Sequence, residues 1–134
     1  MKYLCLIYDE EATLAALSKE EGDAMMGEYF TFSDDIAKSG HYVAGEALQP
    51  VATATTIRMR NGRLSTTDGP FAETKEQLGG FYLIDARDLN EAIQIASRIP
   101  SVRYGSIEIR PVVDFSQPDA QALPQQAAQA TVRA

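Results

Sequence analysis

Two short segments of the sequence carry apolar side chains on both alternating faces, and they constrain the fold more than any other feature. They are residues 2–8 (KYLCLIY) and residues 80–86 (GFYLIDA). In the first segment, one face consists of Tyr3, Cys5 and Ile7 and the other of Leu4, Leu6 and Tyr8. A strand of this kind is typical of the centre of a sheet that is covered on both sides. The pattern therefore predicts two central strands.

Each central strand is followed by the pattern of an amphipathic helix. Ser18 and Glu21 match a capping box, in which the two side chains bind free backbone N–H groups at a helix start. Asp88 and Glu91 match a second one. The first helix is predicted to run to about residue 39, before Gly40, and the second to end at Pro100. The predicted buried stripes are Met25, Tyr29, Phe32 and Ile36 in the first helix, and Leu89, Ala92, Ile93, Ala96 and Ile99 in the second.

Three further segments complete the predicted order of elements. Residues 41–48 read as a short strand, and residues 106–113 alternate as an outer strand with Ile107 and Ile109 inward. Between them, Asn61-Gly62 indicates a type I′ hairpin turn whose first strand has one wet side, with Arg58 and Arg60 on it. The order β-α-β-(hairpin)-β-α-β is that of an α+β, ferredoxin-like fold.

Two helices cover only one face of such a sheet, so the other face needs a partner. Leaving the large side chains of the second face in water would forfeit about 1.5–3 kcal/mol for each. The simplest cover is the same face of a second copy. The pattern therefore predicts a homodimer whose sheets lie face to face.

Composition limits the classes of function. The chain of 134 residues is predicted to hold one domain over residues 1–116 and a disordered tail over residues 117–134, where 11 of 18 residues are Ala or Gln. The net charge of −7 argues against nucleic acid as a partner. The sequence has no apolar run long enough for a membrane span and no signal-peptide pattern at its start. With Cys5 as the single cysteine, a reducing cytoplasm is expected.

The segment at residues 65–86 (STTDGPFAETKEQLGGFYLIDA) places a rigid turn and a dense charge cluster directly before a central strand. One interpretation is structural: Asp68 caps the Asp-Gly-Pro-Phe turn, Phe71 plugs the core, and the charges are solvated. The other is catalytic. The turn holds Asp68 as a general base, Glu73 approaches it and raises one pKa, and Lys75 or Arg58 binds a substrate anion. Spacing alone does not decide between them.

Three further side chains are candidate ligand contacts. Tyr29 and Tyr82 could place hydroxyl groups in a cleft, although core tyrosines that bind a local partner are commoner. His41 follows the helix-ending glycine, where a solvated strand start is the simpler interpretation. A lone histidine and a remote cysteine do not make a zinc site. No metal and no cofactor is expected, since no phosphate loop or nucleotide fingerprint is present.

The string TTDGPFAETKEQLGGFYLIDARDLNEAI, followed by IEIRPV, resembles the DGPF-type branch of the YCII-related proteins over roughly residues 2–113. The resemblance implies a dimeric α+β barrel. A related branch carries a histidine in the first helix paired with an aspartate, proposed as a catalytic dyad. That histidine position falls near Tyr29 here, so the dyad does not carry over. Similar members are often encoded beside alternative sigma factors, which implies a regulatory setting.

Two functions therefore stay open at the level of sequence. The protein is either a module that binds a small polar ligand or a protein partner in a cleft of the dimeric barrel, or a cofactor-free acid–base enzyme of the isomerase, dehydratase or lyase type. The missing histidine counts against the enzyme. The carboxylates Asp68 and Glu73 beside a preorganised turn count for it.

Overall fold

The computed structural model describes residues 1–116, which form six strands and three α-helices. In chain order these are β1 (Lys2–Asp9), α1 (Glu11–Ala15), α2 (Lys19–Lys38), β2 (Tyr42–Ala47), β3 (Thr55–Arg60), β4 (Arg63–Asp68), β5 (Gln77–Asp85), α3 (Leu89–Ala96) and β6 (Ser106–Pro111). Short 3₁₀ helices lie at Val51–Thr53 and Pro100–Arg103. The predicted tail at residues 117–134 lies outside the described residues.

Four strands form one antiparallel sheet in the order β2-β5-β1-β6. The two segments with apolar side chains on both faces are its central pair, and β6 is an outer strand, so the predicted α+β, ferredoxin-like topology is confirmed. Tyr3, Cys5 and Ile7 of β1 lie in the core that α2 and α3 cover. Leu4 and Leu6 lie on the opposite face, which no helix of residues 1–116 covers, and are half-buried.

The start of α2 is as the sequence predicts, whereas the start of α3 differs. Ser18 accepts a hydrogen bond from Glu21 N, and the Glu21 side chain accepts one from Ser18 N, so the first capping box is confirmed. At α3, Asp88 caps Glu91 N, but Glu91 accepts from Arg87 N instead. In a capping box the Glu91 carboxylate would accept from the backbone N–H of Asp88. Here it accepts from Arg87, one residue earlier, and it also binds the Arg87 guanidinium at 2.6 Å.

Helix α3 buries only part of its predicted stripe, since Ala92, Ala96 and Ile99 are buried as predicted. Leu89 and Ile93 are exposed, and the buried residues of the helix are Ala92, Ile95 and Ala96. The helix has only eight residues, and its chain then turns at Pro100 to continue as a 3₁₀ helix. Ile95 is buried in place of the predicted Ile93, and Leu89 in the first turn lies in solvent.

Strands β3 and β4 form a separate two-stranded sheet. Asn61 and Gly62 have φ angles of 52° and 73°, which confirms the type I′ turn. The side with Arg58 and Arg60 is wet as predicted, but the apolar side is also in solvent: Ile57, Met59 and Leu64 are 63%, 59% and 61% exposed. The interpretation that Phe71 plugs the core is likewise wrong, since Phe71 is 77% exposed. The hairpin leads the turn that follows it away from the core.

The core contains Cys5 at the middle of β1, fully buried between Tyr82 of β5 and Ile109 of β6. Burial raises the pKa of this thiol to about 11, because a thiolate is poorly solvated there. Cys5 is therefore a structural residue, as the sequence predicts. Within residues 1–116, no helix is long and apolar enough to cross a membrane.

Candidate functional site

A cavity of about 720 Å³ opens between α2 and the β2–β5 half of the sheet. Its walls are largely apolar, and they include the exposed side chains of Met26, Phe30 and Leu48. Two hydroxyl-bearing clusters interrupt these walls, one around Asp9 and one around Tyr82. A mostly apolar concave site with a few buried polar groups is the usual form of a small-molecule site.

The first polar cluster is a chain of three side chains from three elements. Asp9 ends β1, and it follows Ile7 on the helix-facing side because strand residues alternate. The Ser101 hydroxyl, from the 3₁₀ helix after α3, donates to Asp9 Oδ2 at 2.8 Å. When Asp9 is ionised, that bond uses the single proton of Ser101, which then accepts a hydrogen bond from the hydroxyl of Tyr29 on α2. All three side chains line the cavity.

The environment of Asp9 disfavours the charged carboxylate. Only 6% of its surface is exposed, and no group in residues 1–116 donates a hydrogen bond to its Oδ1 atom. Gly105, directly before β6, approaches Asp9 closely. A Cβ atom at this position would lie 2.8 Å from Asp9 Oδ1 and 2.0 Å from the Tyr8 carbonyl oxygen, so no larger residue fits there. Burial raises the pKa of Asp9; the Ser101 bond opposes this, and the nearby Glu76 carboxylate adds to it.

The second polar cluster joins Ser33 of α2 to Tyr82 of β5, with 2.7 Å between their hydroxyl oxygens. The Tyr82 ring also packs edge-on against Phe32, with centroids 5.0 Å apart. Burial raises the pKa of both Tyr82 and Tyr29. Both phenols therefore stay neutral near pH 7, and they can exchange hydrogen bonds with a ligand without adding charge.

Apart from the tyrosines Tyr29, Tyr42 and Tyr82, the ionisable residues that line the cavity are acidic. They are Asp9, Glu11 and Glu46, and no Lys, Arg or His of residues 1–116 lines it. Glu11 is held in place, since its Oε2 accepts from Val51 N at 3.0 Å. The arrangement therefore opposes an anionic ligand. Within the same residues, no three His, Cys, Asp or Glu side chains converge in a way that could hold a metal ion.

Of the residues that the sequence nominates, Tyr29 and Tyr82 line the cavity. Asp68, Glu73 and Lys75 are exposed and outside it. Arg58 Nη2 donates to the Phe71 carbonyl oxygen at 3.3 Å. The proposed roles of Asp68, Glu73, Lys75 and Arg58 stay predictions.

His41 directly precedes β2 and is not one of the residues that line the cavity. Its Nδ1 lies 2.7 Å from Ser39 Oγ and its Nε2 lies 3.6 Å from Glu91 Oε1. These contacts tie the end of α2 to α3. A ligand-binding role for His41 stays a prediction.

Sequence reasoning missed Asp9 and Ser101. One signal was available for Asp9, because the alternation of Tyr3, Cys5 and Ile7 places it next on the buried face. For Ser101 there was none, since its burial depends on how the chain turns after α3.

The chain is similar to known proteins over most of its length. The family model of the YCII-related domain matches residues 1–116. An uncharacterized protein of Rhizobium meliloti (strain 1021) is 39% identical over 114 residues, which is 84% of this chain and 92% of that protein. A solved structure of 5-chloro-2-hydroxyhydroquinone dehydrochlorinase from Burkholderia phenoliruptrix, in complex with 2,5-dihydroxybenzoquinone, is 13% identical with a TM-score of 0.48, covering 84% of this chain and 93% of that one. On the family match, which confirms the resemblance read from the sequence, the chain belongs to the YCII-related family.

Proposed function

We propose that the protein binds a small, uncharged, largely apolar molecule in the cavity between α2 and the sheet. The observation that supports this is the combination of an apolar cavity with the buried chain from Tyr29 through Ser101 to Asp9. When Asp9 is ionised and Tyr29 donates toward Ser101, the Tyr29 oxygen can accept a hydrogen bond from a ligand hydroxyl. A carboxylate ligand would meet the acidic lining without a basic partner, so it binds more weakly.

The test uses three probes of similar shape and different charge: benzyl alcohol, benzylamine and benzoate. Saturation-transfer NMR reports which of them contacts the protein. We expect benzyl alcohol to bind and benzoate to give the weakest signal. Ala15→Trp should reduce the benzyl alcohol signal because Ala15 lines the cavity, whereas Ala12→Trp, on the same short helix but outside the cavity, should not. Binding of benzoate as strong as that of benzyl alcohol would contradict the proposal.

A second candidate function is cofactor-free proton transfer, with Asp9 in the place that the sequence gives to Asp68. It is favoured by the buried carboxyl group of Asp9, because burial raises its pKa and so favours the uptake of a proton. A ligand proton would pass to Tyr29 as Tyr29 passes its own to Ser101 and Ser101 its own to Asp9. Each hydroxyl is restored in that step, and Asp9 gains the proton.

This candidate is tested by deuterium uptake from D₂O into hydroxyacetone, followed by NMR. Wild type should accelerate exchange beside the carbonyl group over buffer alone. Asp9→Asn should lose most of that acceleration, about 100-fold if Asp9 is the base. Asp68→Asn should keep it. The opposite ranking of the two variants would return the role to Asp68.

We also propose that the protein is a homodimer through the open face of the sheet. Leu4, Leu6, Phe81 and Leu83 lie together on that face, since Leu4 pairs with Leu83 and Leu6 with Phe81. Light scattering should give twice the chain mass. Leu6→Lys should give monomer or aggregate, whereas Ile57→Lys on the hairpin should stay dimeric; a wild-type monomer would contradict the proposal.

The DGPF branch, the cytoplasmic location and the sigma-factor-linked setting stay predictions, as does binding of a protein partner. The cavity supports a small molecule more directly, because its polar groups lie inside the molecule rather than on an open surface.

A further inference from the structure

The end of β1 is bridged by a hydrogen bond between its two neighbours in the sheet. On the β5 side, Gln77 pairs with Asp9, and Glu76 directly precedes it. On the β6 side, Ser106 pairs with Tyr8. The Ser106 hydroxyl donates to Glu76 Oε1 at 2.8 Å. Because β5 and β6 flank β1, this bond holds the Glu76 carboxylate across the strand end, beside Asp9.

We propose that Glu76 is a positioning residue of the cavity: its carboxylate, held by Ser106 beside the Asp9 carboxyl group, controls whether Asp9 carries a proton. This inference rests on the proposed function only in giving that proton a use. The placement itself follows from the strand pairing, the Ser106 bond and the close approach of Gly105 to Asp9 Oδ1.

Among the groups around Asp9, Glu76 is the carboxylate that comes from another part of the sheet, directly before β5. From α2, Asp9 faces Tyr29, which stays neutral, and from the 3₁₀ helix it faces the Ser101 hydroxyl. The β6 segment brings Gly105 and Ser106, which carry no charge. Glu10 and Glu11 follow Asp9 in its own chain.

Like charges held close favour the protonated form of one of them. The direction of the Asp9 pKa agrees, with Glu76 acting in the same sense as burial.

The inference gives a role to one member of the charge cluster that precedes β5. In the string Glu73-Thr74-Lys75-Glu76, the first carboxylate is exposed and the last is half-buried and tied to β6. Thr74 Oγ1 donates to the Glu76 carbonyl oxygen at 2.5 Å and so fixes the backbone there. The sequence predicts a carboxylate pair of Asp68 with Glu73, which stays a prediction; the strand pairing instead brings Glu76 to the end of β1, where Asp9 lies.

The experiment compares Glu76→Gln with Glu73→Gln in protein labelled with ¹³C at the aspartate carboxyl groups. Glutamine keeps the acceptor for Ser106 and removes the charge. The Asp9 resonance is assigned by its loss in Asp9→Asn, and its titration is followed by NMR. In Glu76→Gln the pKa of Asp9 should fall by about half a pH unit or more. In Glu73→Gln it should change by less than about 0.2, and Ser106→Ala should lie between.

A titration of Asp9 that is unchanged in Glu76→Gln, or shifted equally in Glu73→Gln, would overturn the inference. Because this readout needs no ligand, it is independent of the proposed function. Benzyl alcohol binding to the same variants is measured separately: a shifted titration without any probe binding to wild type refutes the small-molecule site and keeps the role of Glu76.

Discussion

Of the strands that end in an aspartate, β1 and β4 give that side chain opposite surroundings. Asp9 ends β1 at the centre of the four-stranded sheet, under α2, and is buried. Asp68 ends β4 in the separate hairpin and is exposed. The second stands in a conspicuous sequence motif and the first in an ordinary strand. Residue type and motif therefore do not indicate which carboxyl group is buried. Whether another layer of the protein covers the strand is the better indicator.

The largest difference between the two regions should come from their phenylalanines. Phe32 is buried against Tyr82, whereas Phe71 follows the Asp68 turn in solvent. Phe32→Ala should lower the free energy of unfolding by about 3–5 kcal/mol, because it empties a packed site. Phe71→Ala should change it by less than about 0.5 kcal/mol. Urea unfolding measures both; a large loss in Phe71→Ala would mean that a second copy covers the turn.

The glycines beside the two aspartates should differ in mechanism and, by less, in size. A Cβ atom at Gly105 would collide with the Tyr8 carbonyl oxygen, so Gly105→Ala should destabilise by about 3 kcal/mol. At Gly69 nothing lies within 4 Å, but φ is +108°, so Gly69→Ala should cost about 1–2 kcal/mol of backbone strain. Gly27→Ala, within α2 and with open space around it, is the control and should stabilise slightly. Equal losses at residues 69 and 105 would contradict the close approach to Asp9.

The smallest expected difference is in the pH dependence of stability. Burial holds the pKa of folded Asp9 above its ordinary 3.8, so the folded chain binds this proton more tightly than the unfolded chain. Its contribution to stability is therefore full below pH 3.8 and is lost as pH rises to the folded pKa. Asp9→Asn should remove this loss, and the variant should gain on wild type as pH rises through that window.

Asp68→Asn is the matched control for that titration. It removes an exposed carboxylate, so it should keep the wild-type profile within about 0.5 kcal/mol at every pH. Parallel profiles for wild type and Asp9→Asn would show that Asp9 is solvated in solution.

Most of the fold could be predicted because local patterns and tertiary structure agree there. The two-faced strands, the Ser18 capping box and the Asn61-Gly62 turn each describe a property that neighbouring residues alone decide. The hairpin faces could not be predicted in this way. Alternation shows that Ile57 and Met59 share a side of β3, but not whether another layer of the protein covers that side.

The site was predictable only in part, for the same reason. Tyr29 and Tyr82 are on the buried faces of a helix and a strand, and periodicity finds such residues. Ser101 reaches Asp9, and Glu76 reaches Ser106, through contacts between segments distant in sequence. No spacing within the chain encodes those contacts, although they set the surroundings of the Asp9 carboxyl group.

The buried thiol of Cys5 can report ligand binding through its rate of alkylation. Alkylating reagents attack thiolates, and Cys5 has neither access nor an ordinary pKa while the chain is folded. Its labelling rate therefore counts how often the sheet opens. A compound that binds only the folded chain lowers the open fraction by the factor 1 + [L]/Kd, and slows labelling by the same factor. Fractions of a metabolite extract could thus be ranked by the protection that each gives to one sulfur atom, before the chemistry of any ligand is known.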